Sequence, residues 1–132
     1  MEINVSQQQG RVPVTVLQIK GELSAATAGP LQAQAEQAYN AGARYMLVDL
    51  SQVPFMSSAG LRVLHSLFNM LRSDSPAESD EAVRKGLAKG TFKSPHLKLL
   101  NPNKNVQQVL STAGYDMFLE IRHNLQDAVG SF

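Results

Sequence analysis

The stretch from Leu47 to Leu64 constrains the fold more than any other part of the chain. It opens as an apolar strand, passes through a loop at Pro54 and reaches two adjacent serines, Ser57 and Ser58, where a helix is expected to begin. Serine at a helix start can accept hydrogen bonds from the free backbone N–H groups of the first turn. A phosphate added there would meet the positive end of the helix dipole. The stretch therefore predicts a strand–loop–helix unit whose turn carries a capping pair, a modification site, or both.

Strand and helix patterns alternate around this unit. Residues 14–20 are rich in β-branched side chains, and residues 45–50 are almost continuously apolar, as in strands covered on both faces. A helix separates them, with Thr27 or Gly29 as its predicted cap, because Pro30 suits a first helical turn. The order predicts an α/β fold: a mixed sheet of about five strands with helices mostly on one face.

Shorter elements are predicted at both ends of the chain. A first strand around Ile3 and Val5 is followed by a hairpin, and residues 96–100 read as a further strand. A helix then leads to a last strand over residues 117–121 and to a short closing helix over residues 125–129.

The segment Ser73–Pro95 is predicted to be a mobile insertion outside the core. The run 73–76 breaks the preceding helix, and the segment is acidic in its first half and basic in its second. Asp80 is the candidate cap of a short helix there, but large apolar residues are few: Val83, Leu87 and Phe92. Residues 1–132 are thus interpreted as a single domain with an insertion at 73–95.

Composition narrows the classes of function. A net charge of +1 argues against a dedicated nucleic-acid binder. The chain has no cysteine, which rules out disulfides and thiolate metal sites and suits the reducing cytoplasm. No signal peptide and no membrane span are predicted. The histidines are not spaced as metal ligands and no glycine-rich phosphate cradle is present, so we expect neither metal nor cofactor.

The helix that follows Ser58 has a wide apolar face and an opposite polar arc. At about 100° per residue, the arc collects Arg62, His65, Ser66 and Asn69, and it is continuous with Ser58. This arc is where a partner could dock. The alternative is that its polar side chains only keep a surface helix in solution.

Nucleophilic catalysis by Ser58 would need a base close to its hydroxyl. His65 lies seven residues further on, two helical turns along the axis, and the Gly-x-Ser-x-Gly elbow is absent. The chain is therefore predicted not to be an enzyme.

Three motifs in order resemble the STAS domain and, within it, the anti-sigma factor antagonists. Residues 21–27 resemble the family's Gly-Glu-Leu-Asp-x-x-Thr element, residues 48–51 the end of its third strand, and residues 57–61 its Asp-Ser-Ser/Thr-Gly-Leu signature. The tail from 97 to 129 resembles the family's strand–helix–strand–helix ending. Both acidic positions that the family usually shows are serine here, Ser24 and Ser57.

The resemblance implies a phosphorylation switch. In the family, the serine after the acidic position is phosphorylated by the anti-sigma factor, which is itself a serine kinase; that position is Ser58 here. A PP2C-type phosphatase would reverse the modification. Without the resemblance, capping is the favoured role of both serines.

A pair of loops and the polar arc of the helix after Ser58 are expected to form the partner-binding site. The two loops that follow the second and third strands feed helices, so they should share one edge of the sheet. Together with the polar arc they give the predicted partner-binding residues: Ser24, Ala25, Ser57, Ser58, Arg62, His65, Ser66 and Asn69. The alternative function is a STAS adaptor that scaffolds a transporter or signalling complex and is never phosphorylated.

Overall fold

The computed structural model describes residues 2–73 and 78–132. Within these residues the strands are β1 (Glu2–Gln9), β2 (Pro13–Lys20), β3 (Met46–Gln52), β4 (Leu97–Leu100) and β5 (Glu120–Arg122). The α-helices are α1 (Ala25–Asn40), α2 (Ser58–Arg72), α3 (Asp80–Lys89), α4 (Lys104–Thr112) and α5 (Leu125–Gly130). The described helices include none long and apolar enough to cross a membrane.

The strands form one mixed sheet in the order β1-β2-β3-β4-β5. β1 pairs antiparallel with β2 through a hairpin, and the other three pairings are parallel. The predicted five-stranded α/β architecture is confirmed. β3 lies at the centre, and its first five residues, Met46–Leu50, are all buried, which explains their nearly continuous apolar run.

The two faces of the sheet are covered unequally. On one face, side chains such as Leu17, Val48 and Leu99 pack against residues of α1, α2, α3 and α4 to form the main core. On the other face, Leu47 and Leu100 belong to a smaller cluster that α5 covers. Helices therefore lie mostly on one face, as predicted.

The predicted start of α1 is wrong. The helix begins at Ala25 with Ser24 as its N-cap residue, so neither Thr27 nor Gly29 caps it, and Pro30 lies inside the helix. The Thr27 hydroxyl accepts from the backbone N–H of Ser24 at 2.8 Å and donates to the carbonyl of Glu22 at 2.8 Å. Thr27 thus stabilises the helix start from its third position, as the second residue of a capping box does.

The predicted last strand is also displaced. Residues Tyr115–Met117 form a 3₁₀ turn, entered through Gly114 at φ +80°, and β5 follows only at Glu120. The half-buried rings of Tyr115 and Phe118 pack against the main core. The apolar residues in this region are therefore buried because the 3₁₀ turn places them against the core, and not because they belong to a strand.

The prediction that the segment 73–95 lies outside the core is wrong for residues 78–95. Val83 of α3 is only 8% exposed and belongs to the main core, while the Phe92 ring contacts the Phe68 ring of α2 edge-on at 5.9 Å between centroids. The helix is capped by Ser79, which accepts from the N–H of Ala82 at 3.2 Å, and not by Asp80. The few apolar residues suffice because Val83 is buried in the main core and Leu87 and Phe92 pack against it. The predicted helix break over 73–76 falls largely on residues 74–77, which lie outside the described residues.

Candidate functional site

Two loops lie side by side at one edge of the sheet, as the sequence predicts. The N–H of Leu23 donates to the carbonyl of Phe55 at 3.0 Å, and the N–H of Ser57 donates back to the carbonyl of Leu23 at 2.9 Å. Leu23 and Met56 form a short parallel bridge between the loops. We call the paired loops, residues 21–24 and 53–58, the acceptor edge.

Gly60 allows α2 to begin against the acceptor edge. A Cβ atom at this position would lie 2.7 Å from Cγ of Met56 and 2.9 Å from the carbonyl oxygen of Leu23. Side-chain carbons do not approach other atoms so closely, and a backbone oxygen cannot move aside without breaking the bridge. The glycine that follows the two serines is therefore a packing requirement of the site.

A third loop holds the acceptor edge from outside. The side-chain amide of Asn103 donates to the carbonyl of Val53 at 3.2 Å, and its Oδ1 accepts from the N–H of Val106 at 2.8 Å, capping α4. Asn103 was not among the predicted site residues. The cap pattern after Pro102 was its only sequence signal, and that pattern does not reveal which loop the other end of the amide contacts.

The two serines occupy different environments. Ser57 is half-buried and is the N-cap of α2, because its Oγ accepts from the N–H of Ala59 at 3.2 Å. Ser58 is the first residue of α2 and is exposed, and its hydroxyl forms no hydrogen bond within residues 2–73 and 78–132. Capping and exposure are thus divided between neighbours: Ser57 satisfies the helix start and leaves Ser58 free for another group.

Next to the serines, Ser24 and Ala25 form the start of α1. Ser24 is half-buried as the N-cap residue, and Ala25 is exposed. Phe55, which is 51% exposed, lies on the same loop as Ser57. Phe55 was not predicted as a site residue, because its exposure depends on the turn of the loop and not on sequence periodicity.

The polar arc of α2 is only partly free. Arg62, His65 and Ser66 are exposed. The His65 ring lies 6.3 to 6.5 Å from the rings of three aromatic residues (Phe68, Tyr115 and Phe118). Asn69 is half-buried and accepts from Nε of Arg72 at 3.0 Å, so it contributes to the packing around α3. The structure therefore brings Arg62, His65 and Ser66 to the surface beside Ser58, while Asn69 also has a structural contact.

Charge is sparse at the acceptor edge. Glu22 is its one charged residue, and Arg62 lies one helical turn beyond Ser58. Burial raises the pKa of Tyr115, against the opposing effect of the nearby Arg62 guanidinium. A partner would therefore meet hydroxyl and methyl groups at the loops, with positive charge and aromatic rings along α2.

Polar groups in and next to the central strands β3 and β4 have partners of their own. Asp49 accepts from the N–H of Ser51 at 3.0 Å and from the Gln18 amide at 3.3 Å. Nδ1 of His96 contacts the carbonyl of Arg44 at 2.9 Å, and its Nε2 contacts Glu78 at 2.9 Å. Among the described residues, no three His, Asp or Glu side chains are grouped so that they could hold a metal ion.

Comparison with known proteins agrees with the fold. The family profile of the STAS domain matches residues 3–75. A candidate anti-sigma factor antagonist from Thermotoga maritima superposes with a TM-score of 0.72 at 20% identity, over 96% of this chain and 90% of that one. No curated protein matches the sequence.

SpoIIAA, an anti-sigma factor antagonist, has the same fold in two states. Its unphosphorylated form superposes with a TM-score of 0.70 at 16% identity, over 97% of this chain and 93% of that one. The phosphorylated form of the Bacillus cell fate determinant SpoIIAA superposes with a TM-score of 0.63 at 16% identity, over 97% of this chain and 96% of that one. At such identities the likeness establishes the fold.

Proposed function

Because the chain belongs to the STAS domain family, we propose that it acts as an anti-sigma factor antagonist. Its unphosphorylated form binds an anti-sigma factor that is a serine kinase, and phosphorylation of Ser58 switches the binding off. A PP2C-type phosphatase restores the binding form. In this role the chain is itself no enzyme, needs no cofactor and works in the cytoplasm. The observation that carries the proposal is the exposed hydroxyl of Ser58, which has no hydrogen-bond partner in the part of the chain that the structure describes, beside a neighbour that already caps the helix.

A phosphate on Ser58 would act locally. It would add a charge of about −1.5 to −2 at the start of α2, where backbone N–H groups and the helix dipole favour an anion. The acceptor edge is fixed by backbone bonds between Leu23, Phe55 and Ser57, none of which involves the Ser58 side chain. The modification would therefore change the surface while leaving the fold intact.

The same charge would oppose binding. Ser58 and the nearby Ser57, Ser24 and Ala25 are uncharged, so a partner packed against these four residues does not have to desolvate an ion there. A phosphate in the middle of that contact would have to be desolvated, which is costly unless the partner supplies a matching charge. Phosphorylation of Ser58 thus prevents the complex from forming.

The proposed partner surface combines the two helix starts with the arc of α2. Ser24, Ala25, Ser57 and Ser58 provide its uncharged centre, and Arg62, His65, Ser66 and Asn69 extend it along α2. Arg62 gives this extension a positive charge that suits an acidic partner surface. The solved phosphorylated and unphosphorylated forms of SpoIIAA support a fold that persists in both states.

Variants of the two serines test the proposal. Ser58→Ala, used as bait, should recover the kinase from lysate for identification by mass spectrometry. In titration calorimetry with that kinase, Ser58→Ala should bind like the unmodified protein, and Ser58→Glu should bind at least about tenfold more weakly, or about 1.4 kcal/mol. Ser57→Ala is the matched control and should change affinity less. Equal affinities of Ser58→Ala and Ser58→Glu would reject the switch.

A second function is favoured by the serines at positions 24 and 57, where the family usually has acidic residues. On this alternative the chain is a STAS adaptor that is never phosphorylated and holds a transporter or signalling complex together. Phosphopeptide mass spectrometry on protein purified from its own cells separates the two functions: a phosphate on Ser58 supports the switch, and its absence under all growth conditions supports the adaptor.

A further inference from the structure

β1 leaves one side of the sheet open. Along its full length of eight residues it pairs with β2 in unbroken register, and it is the first strand in the sheet order, so its other side is unpaired within the described residues. Apart from half-buried Ile3, its residues are exposed. The edge therefore presents a row of backbone N–H and C=O groups to its surroundings.

The usual protections against strand pairing are missing from β1. Exposed edges are commonly guarded by lysine, proline, a bulge or short length. Residues 2–9 contain no lysine and no proline, and the β1–β2 register shows no bulge. The opposite edge of the sheet is different, because β5 has only three residues and carries an Arg122–Glu120 ion pair.

An apolar side chain marks the middle of the open edge. Val5 is 45% exposed, one of the few large apolar residues with that exposure. It borders a groove of about 290 Å³ between β1 and α1, lined also by Gln7, Gln34 and Ala38. Val5 thus lies on the open edge strand itself, beside the face of the sheet that α1 covers.

We propose that β1 pairs antiparallel with β1 of a second copy of this chain, with a two-fold axis at Val5. In this register Val5 faces its own copy, Ile3 faces Gln7, Asn4 faces Ser6 and Glu2 faces Gln8. The two five-stranded sheets then form one continuous sheet, and the interface is isologous.

Charge and side-chain pattern favour the second copy over another strand. Glu2 is the only charged residue of β1, and the register places it opposite a neutral glutamine, so no like charges face each other. The two copies of Val5 cover each other at the axis, while Ile3, which is half-buried against the main core of its own copy, faces Gln7. The register thus pairs the exposed apolar residue of the strand with its own copy and sets no two charged residues opposite each other.

Sedimentation equilibrium tests the proposal with the whole chain. The unmodified protein should dimerise, whereas Val5→Lys, which sets two ammonium groups face to face, should raise the dimer Kd at least about a hundredfold. Met117→Lys is the matched control, because Met117 is 53% exposed and lies far from β1 in the 3₁₀ turn. It should dimerise like the unmodified protein.

Disulfide trapping tests the register, since the chain has no cysteine of its own. Val5→Cys should form a covalent dimer under mild oxidation, because residues directly opposite in antiparallel strands have Cα atoms about 4.5 to 5.5 Å apart. Ser6→Cys should not, since its own copy lies diagonally across the axis and beyond about 7 Å. A protein that stays monomeric at about 200 µM, a dimer that survives Val5→Lys, or equal trapping at positions 5 and 6 would each overturn the proposal. A dimer that survives Val5→Lys, or equal trapping at positions 5 and 6, would show that the two copies make contact through another surface or in another register.

Discussion

The acceptor edge and the α3 segment (residues 78–96) both adjoin α2, yet they are held in opposite ways. The acceptor edge is fixed by backbone hydrogen bonds between Leu23, Phe55 and Ser57 and by a glycine contact. The α3 segment is held by charged side chains: Arg72 donates to the carbonyl of Glu78 at 2.8 Å and to Asp80 at 2.6 Å.

The difference decides which changes each region tolerates. Backbone bonds do not depend on side-chain identity, so the hydroxyls of the acceptor edge can vary or be modified while the loop stays in place. The α3 segment depends on single groups. Glu78 is only 4% exposed, and its Oε2 is bound by Nε2 of His96 at 2.9 Å while Oε1 has no partner among the described residues. Removing one of these groups leaves a buried polar atom without compensation.

The largest effect expected on this contrast comes from Gly60. Gly60→Val should reduce the free energy of unfolding by about 3 kcal/mol, because its side chain would collide with Met56 and with the Leu23 carbonyl. Urea denaturation measures the loss. Gly29→Ala is the control: it lies in α1 with open space around it and should stabilise by about 0.5 to 1 kcal/mol. A normal stability of Gly60→Val would mean that the two loops do not need their close approach.

A smaller loss is expected from the anchor of the α3 segment. Glu78→Ala should cost about 2 kcal/mol, because it leaves Nε2 of the half-buried His96 ring without its partner, while Nδ1 keeps its contact with the carbonyl of Arg44. Glu81→Ala removes an exposed carboxylate that pairs with Lys85 at 3.1 Å, and it should cost less than about 0.5 kcal/mol. If urea denaturation gave equal, small losses of unfolding free energy for Glu78→Ala and Glu81→Ala, the segment would be the mobile insertion that the sequence predicts.

Substituting the two serines by alanine should change the free energy of unfolding by amounts that differ by about 1 kcal/mol. Ser57→Ala removes the cap of α2 and should destabilise by that amount, while Ser58→Ala should stay within about 0.5 kcal/mol of the unmodified protein. Thermal unfolding by circular dichroism can resolve the difference. A larger loss from Ser58→Ala than from Ser57→Ala would show that Ser58 is the structural serine.

The smallest effect expected is the pH dependence of the stability that Glu120 contributes through its contacts with Lys98 and Arg122. Burial would raise the pKa of Glu120, but hydrogen bonds and charge from Lys98, and then from Arg122, outweigh it and hold the pKa below 4.5. A depressed carboxyl pKa stabilises the fold above the unfolded pKa, and the contribution is lost as pH falls through the folded pKa. The stability difference between the unmodified protein and Glu120→Gln should therefore shrink as pH drops below about 4.5. It is measured by urea denaturation across pH.

The acceptor edge provides the contrast for that pH series. The loss caused by Gly60→Val should be the same at neutral and acidic pH, because no titrating group takes part in the contact. A loss that varies with pH like that of Glu120→Gln would remove the distinction between backbone-held and charge-held regions.

The sequence predicts best where burial follows one period over a long element. β3 and α2 were predicted closely because their apolar residues recur at strand and helix spacing. The α3 segment differs from the prediction because polar contacts add to its few apolar residues and carry no periodic signal: Arg72 binds the carbonyl of Glu78, and the Glu78 carboxylate binds His96.

For the site, the sequence predicts the acceptor edge but not its supports. Motif order located Ser24, Ser57 and Ser58, and strand ends indicated a shared edge. The contact of Asn103 with Val53 and the exposure of Phe55 depend on how loops turn in three dimensions. The capping preference of Asn103 is local, whereas its second bond is not.

The bridge between Leu23 and Met56 also determines what an enzyme acting on Ser58 has to recognise. Two stretches more than thirty positions apart in the chain supply adjoining parts of the surface around the hydroxyl, and Ser58 itself is already wound into a helix. The target is a conformational epitope and not a linear one. A synthetic peptide of residues 52–64 would have the same sequence around Ser58 but not the folded conformation. A kinase selective for the folded domain would therefore not phosphorylate nascent or unfolded chains.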